Sequence, residues 1–369
     1  MRIVILYNSS WYVFLLRRNL ISSLRSLGHE VTVVAPVDRY TDRVKQMGVS
    51  FLPITIDGTG RSPVSEAWTL RSINRALKTA RPHAVLSFTV KCNLYAGLCR
   101  RFMDFKHIAN VSGLGELFDA SSRLRRGVEL LYRVALGKTN VVFFQNEEDK
   151  DLLVKNGAVA GTRSRVIPGS GVDLARFTPD PRAPGSSRAF LMFGRLLPKK
   201  GFDHFIDAAR EARQRFGEQV AFWVMGAPDP QRVESLELLE RVNRAHAEGV
   251  IRYLQSTDDP LPIIKKSDVV VLPSTYNEGI PRSLLEALAC GKPVITTDWK
   301  GCRETVEQGI NGFLVKPNDT KSLLAAFETM ATKKADELLL MGQRSRELAE
   351  RRFDERAVLD AYIGALGEG

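Results

Sequence analysis

The segment from Pro273 to Pro293 combines a turn, two carboxylates and a helix start at a spacing that suits a diphosphate. An apolar run typical of a strand, Val269–Leu272, comes directly before it, and Gly279 marks the turn. Pro281 is expected in the first turn of the following helix, where proline costs little because the first amides have no partner within the helix. Those amides and the positive end of the helix dipole attract anions. We therefore predict a phosphate site at Gly279, Ile280 and Pro281. The helix that follows is expected to end at Gly291.

Two glutamates flank this phosphate site. Glu286 stands five residues after Pro281, roughly 7.5 Å further along a helix axis. That separation resembles the step from a phosphate to a ribose, so this carboxylate is expected to accept hydrogen bonds from ribose hydroxyls. Glu278 lies in the turn and is expected to face a sugar on the other side of the phosphates. The alternative is that both are solvent-facing charges, but a glutamate in such a turn caps a helix less well than Ser or Asp.

A second motif follows another strand-like run, Ala189–Phe193. It contains Gly194, Arg195 and Lys200 within an eight-residue segment that ends at Gly201. Two fixed cations just past a strand can neutralise a diphosphate as it leaves. Standing alone, the same residues would be read as an ordinary surface loop. Their interpretation as a diphosphate site therefore depends on the presence of the first motif in the same chain.

The elements that must position these motifs form two sets of alternating strands and helices. The first set of expected strands is Ile3–Tyr7, Val31–Ala35, Ala84–Phe88 and Val141–Phe144. The second set is Ala189–Phe193, Ala221–Met225, Ile251–Leu254, Val269–Leu272 and Val294–Thr297. Helical periodicity between them, at 11–27, 63–80, 123–137 and 147–156 in the first set, predicts an α/β fold with parallel sheets covered on both faces.

The chain is expected to divide into two doubly wound, Rossmann-like domains that face each other across a cleft. The segment 177–187 holds three prolines and is read as the linker. We predict a first domain at 1–180, a second at 186–352, and a final helix at 353–369 that packs back on the first. Because ligands bind beyond the carboxyl ends of the strands in such sheets, the cleft is the expected active site.

Charge is distributed unevenly over the 369 residues. The formal net charge is +11, and residues 1–183 hold 27 Lys and Arg against 15 Asp and Glu, so the positive charge belongs to the first half. Such a field attracts phosphates, acidic lipids or nucleic acid.

The four cysteines lack the spacing of a disulfide scaffold or a zinc site, which favours a reduced cytoplasm. The start shows no signal-peptide layout, and no run approaches the roughly 20 apolar residues of a membrane span. Membrane contact is therefore expected to be peripheral.

The two motifs together resemble the retaining glycosyltransferases of family 4, which have the two-domain GT-B fold. Glu278 and Glu286 match that family's pair of glutamates with seven residues between them, and Gly194–Gly201 matches its Gly-Arg turn followed by Lys-Gly. The similarity covers nearly the whole chain, including Pro168–Asp173. It implies a nucleotide-sugar donor bound by the second domain, an acceptor bound by the first, and catalysis involving Glu278, Arg195 and Lys200. The implied donor-binding residues are Gly194, Arg195, Lys200, Glu278, Gly279, Ile280, Pro281 and Glu286.

A finer similarity points to bacterial enzymes that extend polyprenyl-diphosphate-linked sugars for O-antigen, capsule or glycoprotein glycans. It is carried by Phe88–Tyr95, Val111–Glu116, Phe143–Asn146, Gly301–Val306 and Asn311–Val315. It implies a UDP-sugar donor, a lipid-linked saccharide acceptor, and a position on the inner face of the cytoplasmic membrane. The expected acceptor-binding residues are Asn8, Ser9, Ser10, Lys91, Asn93, Gly113, Leu114, Gly115 and Glu116.

The first domain departs from the family pattern in two places. The loop Asn8–Tyr12 lacks the glycines that many relatives have after the first strand. It could bind a sugar or phosphate, or Ser9 or Ser10 could be a helix N-cap. The segment Ser112–Glu116 lacks the histidine that many relatives place beside the donor sugar.

Two further segments have competing interpretations. Asp149-Lys150-Asp151 has the Asp-x-Asp pattern of metal-dependent glycosyltransferases, but an acidic first helical turn explains it better. We therefore expect no metal and no cofactor. The segment Arg123–Arg133 mixes arginines with apolar residues, so it could rest on an anionic membrane, or it could be a packed helix with a solvated basic face.

Other functions remain as alternatives. A GDP-mannose-dependent mannosyltransferase would have the same fold. An epimerase would need carboxylates and histidines in the cleft that are not found, and a phosphorylase would need a longer chain. A protein of another class, binding nucleic acid or membrane through its basic half without transferase activity, is also considered. No aromatic-basic interleaving or helix-turn-helix signature is present, so we expect no nucleic-acid partner.

Overall fold

The computed structural model describes residues 1–56, 62–114, 122–179 and 187–368, with the backbone only at 122–126. The chain forms two compact units. The first consists of Met1–Ser170 and Arg356–Gly369, and the second of Gly171–Glu355. The division thus falls before the proline-containing segment that the sequence suggested as the linker. The reason is that Phe177, at the start of that segment, is fully buried in the core of the second unit.

The first unit is built on a parallel sheet of seven strands. They are β1 (Arg2–Leu6), β2 (Glu30–Ala35), β3 (Ser50–Pro53), β4 (Ala84–Phe88), β5 (Lys106–Val111), β6 (Val141–Phe144) and β7 (Ser164–Val166). Their spatial order is β3-β2-β1-β4-β5-β6-β7. The strand order therefore reverses between β1 and β4, which pair directly. The sequence predicted β1, β2, β4 and β6 and missed the other three.

Helices cover both faces of this sheet. They are α1 (Ser10–Leu16), α2 (Arg18–Ser26), α3 (Thr41–Lys45), α4 (Pro63–Ala80), α5 (Val90–Cys99), α6 (Ser122–Leu136) and α7 (Glu147–Lys155). Successive side chains of a strand point to opposite faces. Accordingly, Ile3 and Ile5 pack in one apolar cluster with α2, whereas Val4 and Leu6 pack in another with α4 and α5.

The second unit contains a parallel sheet of six strands. They are β8 (Arg188–Phe193), β9 (Val220–Gly226), β10 (Arg252–Gln255), β11 (Val269–Leu272), β12 (Val294–Thr297) and β13 (Gly312–Val315). The spatial order is β10-β9-β8-β11-β12-β13. The order reverses between β8 and β11, which are hydrogen-bonded neighbours. This reversal matters because ligands of open α/β sheets bind in the crevice that it creates.

Among the described residues, six α-helices belong to this second unit. They are α8 (Phe202–Phe216), α9 (Val233–Ala247), α10 (Leu261–Lys266), α11 (Arg282–Ala289), α12 (Thr320–Thr332) and α13 (Ala335–Arg352). Phe190, Phe205, Phe222 and Phe327 pack together with ring centroids 5.0–5.8 Å apart and join β8, β9, α8 and α12. Burial of each ring contributes roughly 1.5–3 kcal/mol, so this cluster holds the amino-terminal half of the site-bearing sheet together.

The last helix, α14 (Glu355–Gly367), belongs to the first unit from Arg356 onward. Its Val358, Tyr362 and Leu366 join the apolar cluster formed by β1, β4 and α2. The Tyr362 ring meets Phe88 and Phe143 edge to face, at 5.7 and 5.1 Å between centroids. The chain therefore ends by completing the core in which it began.

Candidate functional site

The two motifs of the second unit follow neighbouring strands. Gly194 and Arg195 come directly after β8, and Pro273 comes directly after β11. Because both strands are parallel and paired, their carboxyl ends open at the same edge of the sheet. The predicted donor residues are thus gathered at the crevice where the strand order reverses.

The backbones of the two motifs touch. Gly201 has φ +86°, and a Cβ atom there would overlap the carbonyl oxygen of Pro273. The amide of Thr275 donates to the carbonyl of Lys199 at 2.8 Å. Only glycine permits both the left-handed conformation and this approach. The contact fixes Lys200 beside the turn that carries Glu278.

Lys200 and Glu278 form an ion pair in this crevice. The Nζ of Lys200 donates to Oε1 of Glu278 at 2.6 Å, and the two side chains are 11% and 21% exposed. The Lys200 Nζ also lies 5.9 Å from the centroid of the Tyr276 ring. Each side chain keeps an open side, so a ligand can reach the pair. The cation suits a phosphate and the carboxylate suits a hydroxyl.

Arg195 follows Gly194 in the turn that comes directly after β8. Gly194 has φ +148°, its amide donates to the carbonyl of Met225 at 3.0 Å, and no atom of the described residues would come within 4 Å of an added Cβ. This space next to the backbone allows a ligand to approach closely. The position agrees with the expected role of Arg195 at a departing diphosphate, a role that stays a prediction.

The start of α11 differs from the expectation in one respect. Pro281 is not in the first turn but is the N-cap, with φ −61° and ψ 124°. That extended ψ keeps Pro281 outside the helix, while its carbonyl accepts from Leu284 and Leu285 at 3.1 and 3.2 Å. Proline has no side-chain acceptor for the first amides, and no side-chain cap is observed in this described helix. The first turn therefore presents N–H groups of the kind that bind anions.

Glu286 lies on α11 with 7% of its surface exposed. Its Oε1 accepts from Nε of Arg282, one turn earlier, at 2.8 Å. Burial raises the pKa of the Glu286 carboxyl above its usual value, and the nearby Arg282 and Arg176 act against that shift. Arg176 itself pairs with Asp259 at 2.8 Å. A buried carboxylate with a charged neighbour is an acceptor group held ready for hydroxyl donors.

The loop between β12 and the short helix Arg303–Thr305 supports the Glu278 turn from behind. Gly301 has φ +77°, and a Cβ there would overlap the carbonyl oxygen of Gly279. Ile280 is 7% exposed and belongs to the apolar core of the unit. The turn is therefore held between a neighbouring backbone and the core, which makes its geometry rigid.

The loop after β1 is only partly available to a ligand. Ser9 is the N-cap residue of α1, as one interpretation held, but its hydroxyl donates to Asp38 at 3.1 Å instead of capping the helix. Asp38 accepts from the amide of Trp11 at 3.0 Å, so Asp38 caps α1. Ser10 is buried and donates to the carbonyl of Pro36 at 2.7 Å. Asn8 keeps a buried side-chain oxygen with no hydrogen-bond partner among the described residues.

The remaining acceptor-side residues separate into interior and accessible groups. Asn93 is 1% exposed, accepts from Ser87 at 2.8 Å and donates to the Asn110 carbonyl at 2.7 Å, so it is a residue of the interior in this structure. Leu114 is fully buried, and Gly113 is buried with φ +121°. Lys91 is about one quarter exposed and pairs with Glu66. Gly115 and Glu116 lie outside the described residues.

Sequence reasoning missed two acidic residues that organise this edge. Asp38 fixes the loop after β1, and Glu66 accepts from both Lys91 and Tyr95, which ties α4 to α5. Neither lies in a recognisable motif. The sequence signal for Asp38 was its place just after an expected strand, at the carboxyl edge of the sheet.

The Asp149 segment is the start of a helix. Asn146 is the N-cap of α7 and accepts from the Asp149 amide at 2.7 Å, while the Asp149 side chain accepts from Asn146 at 3.1 Å. Within the described ranges, no three His, Cys, Asp or Glu side chains are grouped so that they could hold a metal ion. In the same part of the chain, no helix combines the length and apolar character needed to cross a bilayer.

Known families match both halves of the chain. Residues 17–169 match the glycosyl transferase 4-like domain, and residues 187–333 match the glycosyl transferases group 1. The second match contains the whole of the crevice described above, from Gly194 to Glu286. The first match contains α4 and α5, which carry Glu66, Lys91 and Asn93, and it begins after the loop that follows β1.

Two bacterial relatives are similar over most of their length. The N,N'-diacetylbacillosaminyl-diphospho-undecaprenol α-1,3-N-acetylgalactosaminyltransferase of Campylobacter jejuni is 24% identical, covering 98% of this chain and 97% of that protein. The UDP-Gal:α-D-GlcNAc-diphosphoundecaprenol α-1,3-galactosyltransferase of Escherichia coli is 28% identical over 72% of this chain and 70% of its own.

Solved structures agree on the fold. The Anabaena protein HepE, in complex with UDP and glucose, superposes over the full length of both chains with a TM-score of 0.82 at 19% identity. A glycosyltransferase from Rickettsia africae superposes over 100% of this chain and 99% of its own, with a TM-score of 0.79 at 17% identity. The chain therefore belongs to the GT-B glycosyltransferases that combine a glycosyl transferase 4-like domain with a group 1 domain.

Proposed function

We propose that this protein is a retaining transferase that moves an N-acetylhexosamine or hexose from a UDP-sugar to a polyprenyl-diphosphate-linked saccharide. The observation that carries the proposal is the Lys200–Glu278 ion pair, which lies at the reversal of strand order between β8 and β11. At this position a cation that can bind a phosphate lies next to a carboxylate that can accept hydrogen bonds from hydroxyl groups. Such a pair is suited to the junction between a diphosphate and its sugar.

The donor would lie along the crevice edge from Gly194 to α11. Its diphosphate would meet Lys200, Arg195 and the amides at the start of α11, and its ribose would meet Glu286 further along that helix. When the ribose binds, the buried Glu286 carboxylate would either give up its hydrogen bond from Arg282 or accept hydrogen bonds from Arg282 and the ribose together. Fixed positive groups around the diphosphate stabilise the charge that develops as the glycosidic bond breaks.

Transfer would proceed by attack on the same face from which the UDP leaves. The acceptor hydroxyl would give its proton to the departing phosphate, so no separate general base is required. Lys200 would release Glu278 when the diphosphate arrives, and Glu278 would then hold the sugar hydroxyls. In this proposal the cations of the protein take the place that a metal ion has in other transferases, so catalysis needs no metal.

The lipid-linked acceptor is supported by the two relatives named above, because both act on undecaprenyl-diphosphate saccharides by name. Acceptor recognition would fall to the first unit, where the buried side-chain oxygen of Asn8 has no partner among the described residues and Lys91 is a partly exposed cation. An acceptor of this kind is held in a bilayer. We accordingly propose that the protein works at the inner face of the cytoplasmic membrane, in cell-surface glycan synthesis.

The decisive experiment is a thermal-shift panel with UDP, GDP, ADP, UDP-GlcNAc, UDP-GalNAc, GDP-mannose and a short DNA duplex. A ligand at one hundred times its dissociation constant stabilises a protein by about 2.7 kcal/mol, enough for a clear shift. UDP and one UDP-sugar are expected to stabilise the wild type. Glu286→Ala should abolish the shift, whereas Glu278→Ala should keep it and lose turnover.

Glu248→Ala is the matched control, since Glu248 also pairs with an arginine of the second unit, Arg210, at 2.7 Å but lies outside the crevice. It should respond as the wild type does. A response to GDP and GDP-mannose alone would instead favour the mannosyltransferase. A response to DNA alone, with no nucleotide effect, would overturn the proposal in favour of a binding protein.

A further inference from the structure

An exposed apolar surface on the first unit carries no part of the site described so far. On α4, Val64 and Trp68 are each 64% exposed, and Phe102, in the turn after α5, is 88% exposed. A groove of about 910 Å³ runs between the two helices and is lined by all three residues. We call Val64, Trp68, Phe102 and this groove the α4 surface. Large side chains this exposed carry a cost in water unless a partner covers them.

Cations border the α4 surface along the rest of the helix. Arg71 and Lys78 line the apolar groove, and they also line an adjoining cavity of about 1080 Å³. That cavity adds further cations, namely Arg2, Arg75 and Arg81. Within α4 the only acidic residue is Glu66, which is already engaged by Lys91 and Tyr95. The apolar and basic parts therefore form one continuous face.

The spacing on α4 explains why these residues share a face. Val64, Trp68, Arg71, Arg75 and Lys78 follow one another at intervals of four, three, four and three residues. These are the intervals that align side chains along one side of a helix. The stripe begins with apolar groups and ends with cations. Its amino-terminal end is tied by Glu66 to Lys91, at the carboxyl edge of the sheet.

We propose that the α4 surface docks on an anionic lipid bilayer. Aromatic side chains favour the boundary between head groups and hydrocarbon, and arginine and lysine beside them attract acidic head groups. A second copy of the chain is disfavoured, because five cations on each copy would repel. A nucleic acid would satisfy the cations but would leave the apolar groove uncovered. A bilayer with acidic lipids satisfies both parts.

Docking through the α4 surface would bring the carboxyl edge of the first sheet close to the membrane. The end of α4 that carries Val64 and Trp68 is joined to Lys91, which was predicted to contact the acceptor. A lipid-held acceptor would thus meet the protein beside its anchoring face. The link to catalysis rests on the proposed function, whereas the binding to lipid does not.

The test is co-sedimentation of the full-length protein with vesicles of phosphatidylcholine alone or mixed with phosphatidylglycerol. Wild-type protein should bind only the mixed vesicles, and added salt should weaken the binding. The double variant Trp68→Ser/Phe102→Ser should bind at least about tenfold more weakly. Arg71→Gln/Lys78→Gln should also weaken binding by about tenfold or more.

Leu130→Ser is the matched control, because Leu130 is 59% exposed on α6, the helix that the sequence analysis considered for membrane contact. It should bind vesicles as the wild type does. Loss of binding in Leu130→Ser with no effect of the α4 variants would overturn the proposal in favour of α6. Absence of vesicle binding by the wild type, or binding to a DNA duplex in its place, would also overturn it.

The same variants keep the two proposals distinguishable. Each is also tested for stabilisation by UDP and for transfer to a short-chain acceptor free in solution. The α4 variants should keep both, because they lie outside the crevice of the second unit. Lost vesicle binding with intact transfer supports docking, whereas intact vesicle binding without any nucleotide response contradicts the proposed function only.

Discussion

His107 shows how a buried polar residue can be fully satisfied in the neutral state. It is on β5 with no exposed surface, and its Nε2 lies 2.8 Å from the Ser87 hydroxyl and its Nδ1 lies 3.0 Å from the Thr139 hydroxyl. The Ser87 hydroxyl donates its proton to the side-chain oxygen of Asn93. Nε2 therefore donates to Ser87 and Nδ1 accepts from Thr139, which is the pattern of a neutral imidazole.

The network predicts a specific loss of stability in acid. Burial lowers the pKa of His107 from 6.5 to about 3, with Arg100 acting in the same direction. Below pH 6.5 His107 of the unfolded chain becomes protonated, whereas His107 of the folded chain stays neutral. The corresponding part of the free energy of unfolding is therefore present at pH 7 and is lost as the pH falls toward 3. By pH 5 the loss amounts to about 2 kcal/mol.

The measurement is calorimetric unfolding of the wild type and His107→Gln at pH 7 and pH 5. The variant is expected to be less stable at pH 7, because glutamine does not reproduce both bonds. Its further decline on going to pH 5 should nevertheless be smaller than that of the wild type. Equal declines in both proteins would show that His107 does not govern this window.

Several elements could be predicted because their sequence signals are local. The runs Val269–Leu272 and Val294–Thr297 are wholly apolar or β-branched, and they form strands with the bounds expected. The missed strand β5 contains Lys106, His107 and Asn110, which hide the apolar pattern. The buried two, His107 and Asn110, are tolerated because residues distant in sequence satisfy them. No local pattern could reveal those partners.

The candidate site likewise has features that local sequence patterns predict and features that depend on distant residues. The contact between the two motifs was predictable in outline, because both follow strands whose carboxyl ends share an edge. The Lys200–Glu278 pair depends on backbone contacts between segments more than 70 residues apart in sequence. The N-cap position of Pro281 follows from its extended ψ of 124°, which no residue pattern indicated. The interior position of Asn93 could not be read either, since Asn93 is placed by Ser87 and by the Asn110 carbonyl.

At the scale of elements, Gly301 should control the shape of the Glu278 turn. Gly301→Ala would place a methyl group against the Gly279 carbonyl and would hold an L residue at φ +77°. Gly249→Ala is the matched control, with φ +72° and, in the part of the chain that the structure describes, no atom within 4 Å of an added Cβ. Both variants should lose about 1–2 kcal/mol of folding stability through the left-handed backbone.

Only Gly301→Ala should weaken nucleotide binding as well, because it displaces the turn that carries Glu278 and precedes α11. Titration of both variants with UDP, followed by calorimetry, separates the two effects. We expect a loss of about tenfold or more in affinity for Gly301→Ala, and wild-type affinity for Gly249→Ala. Equal affinities would mean that the turn tolerates the shift, or that the nucleotide does not bind there.

At the scale of the whole molecule, the chain returns to its first unit after completing the second. Helix α14 places Tyr362, 1% exposed, among Phe88, Phe143 and the strands of the first sheet. Its hydroxyl accepts a hydrogen bond from Asn110, whose side-chain oxygen in turn accepts from Gln145 at 3.3 Å. The last residues therefore contribute to the stability of the first 170 and not to that of the unit they follow.

Tyr362→Ala should consequently destabilise the first unit selectively, by about 3–5 kcal/mol, as expected for the loss of a buried ring. Hydrogen exchange followed by mass spectrometry should show faster exchange in β4, β5 and β6, with β8 and β9 unchanged. Tyr362→Phe keeps the ring and leaves the Asn110 amide without its acceptor, so a smaller loss of about 1–3 kcal/mol is expected. Leu340→Ala, at a side chain 53% exposed on α13, is the control and should change neither unit. Equal acceleration in β5 and β8 would contradict this assignment, because it would mean that the core around Tyr362 does not unfold separately from the second sheet.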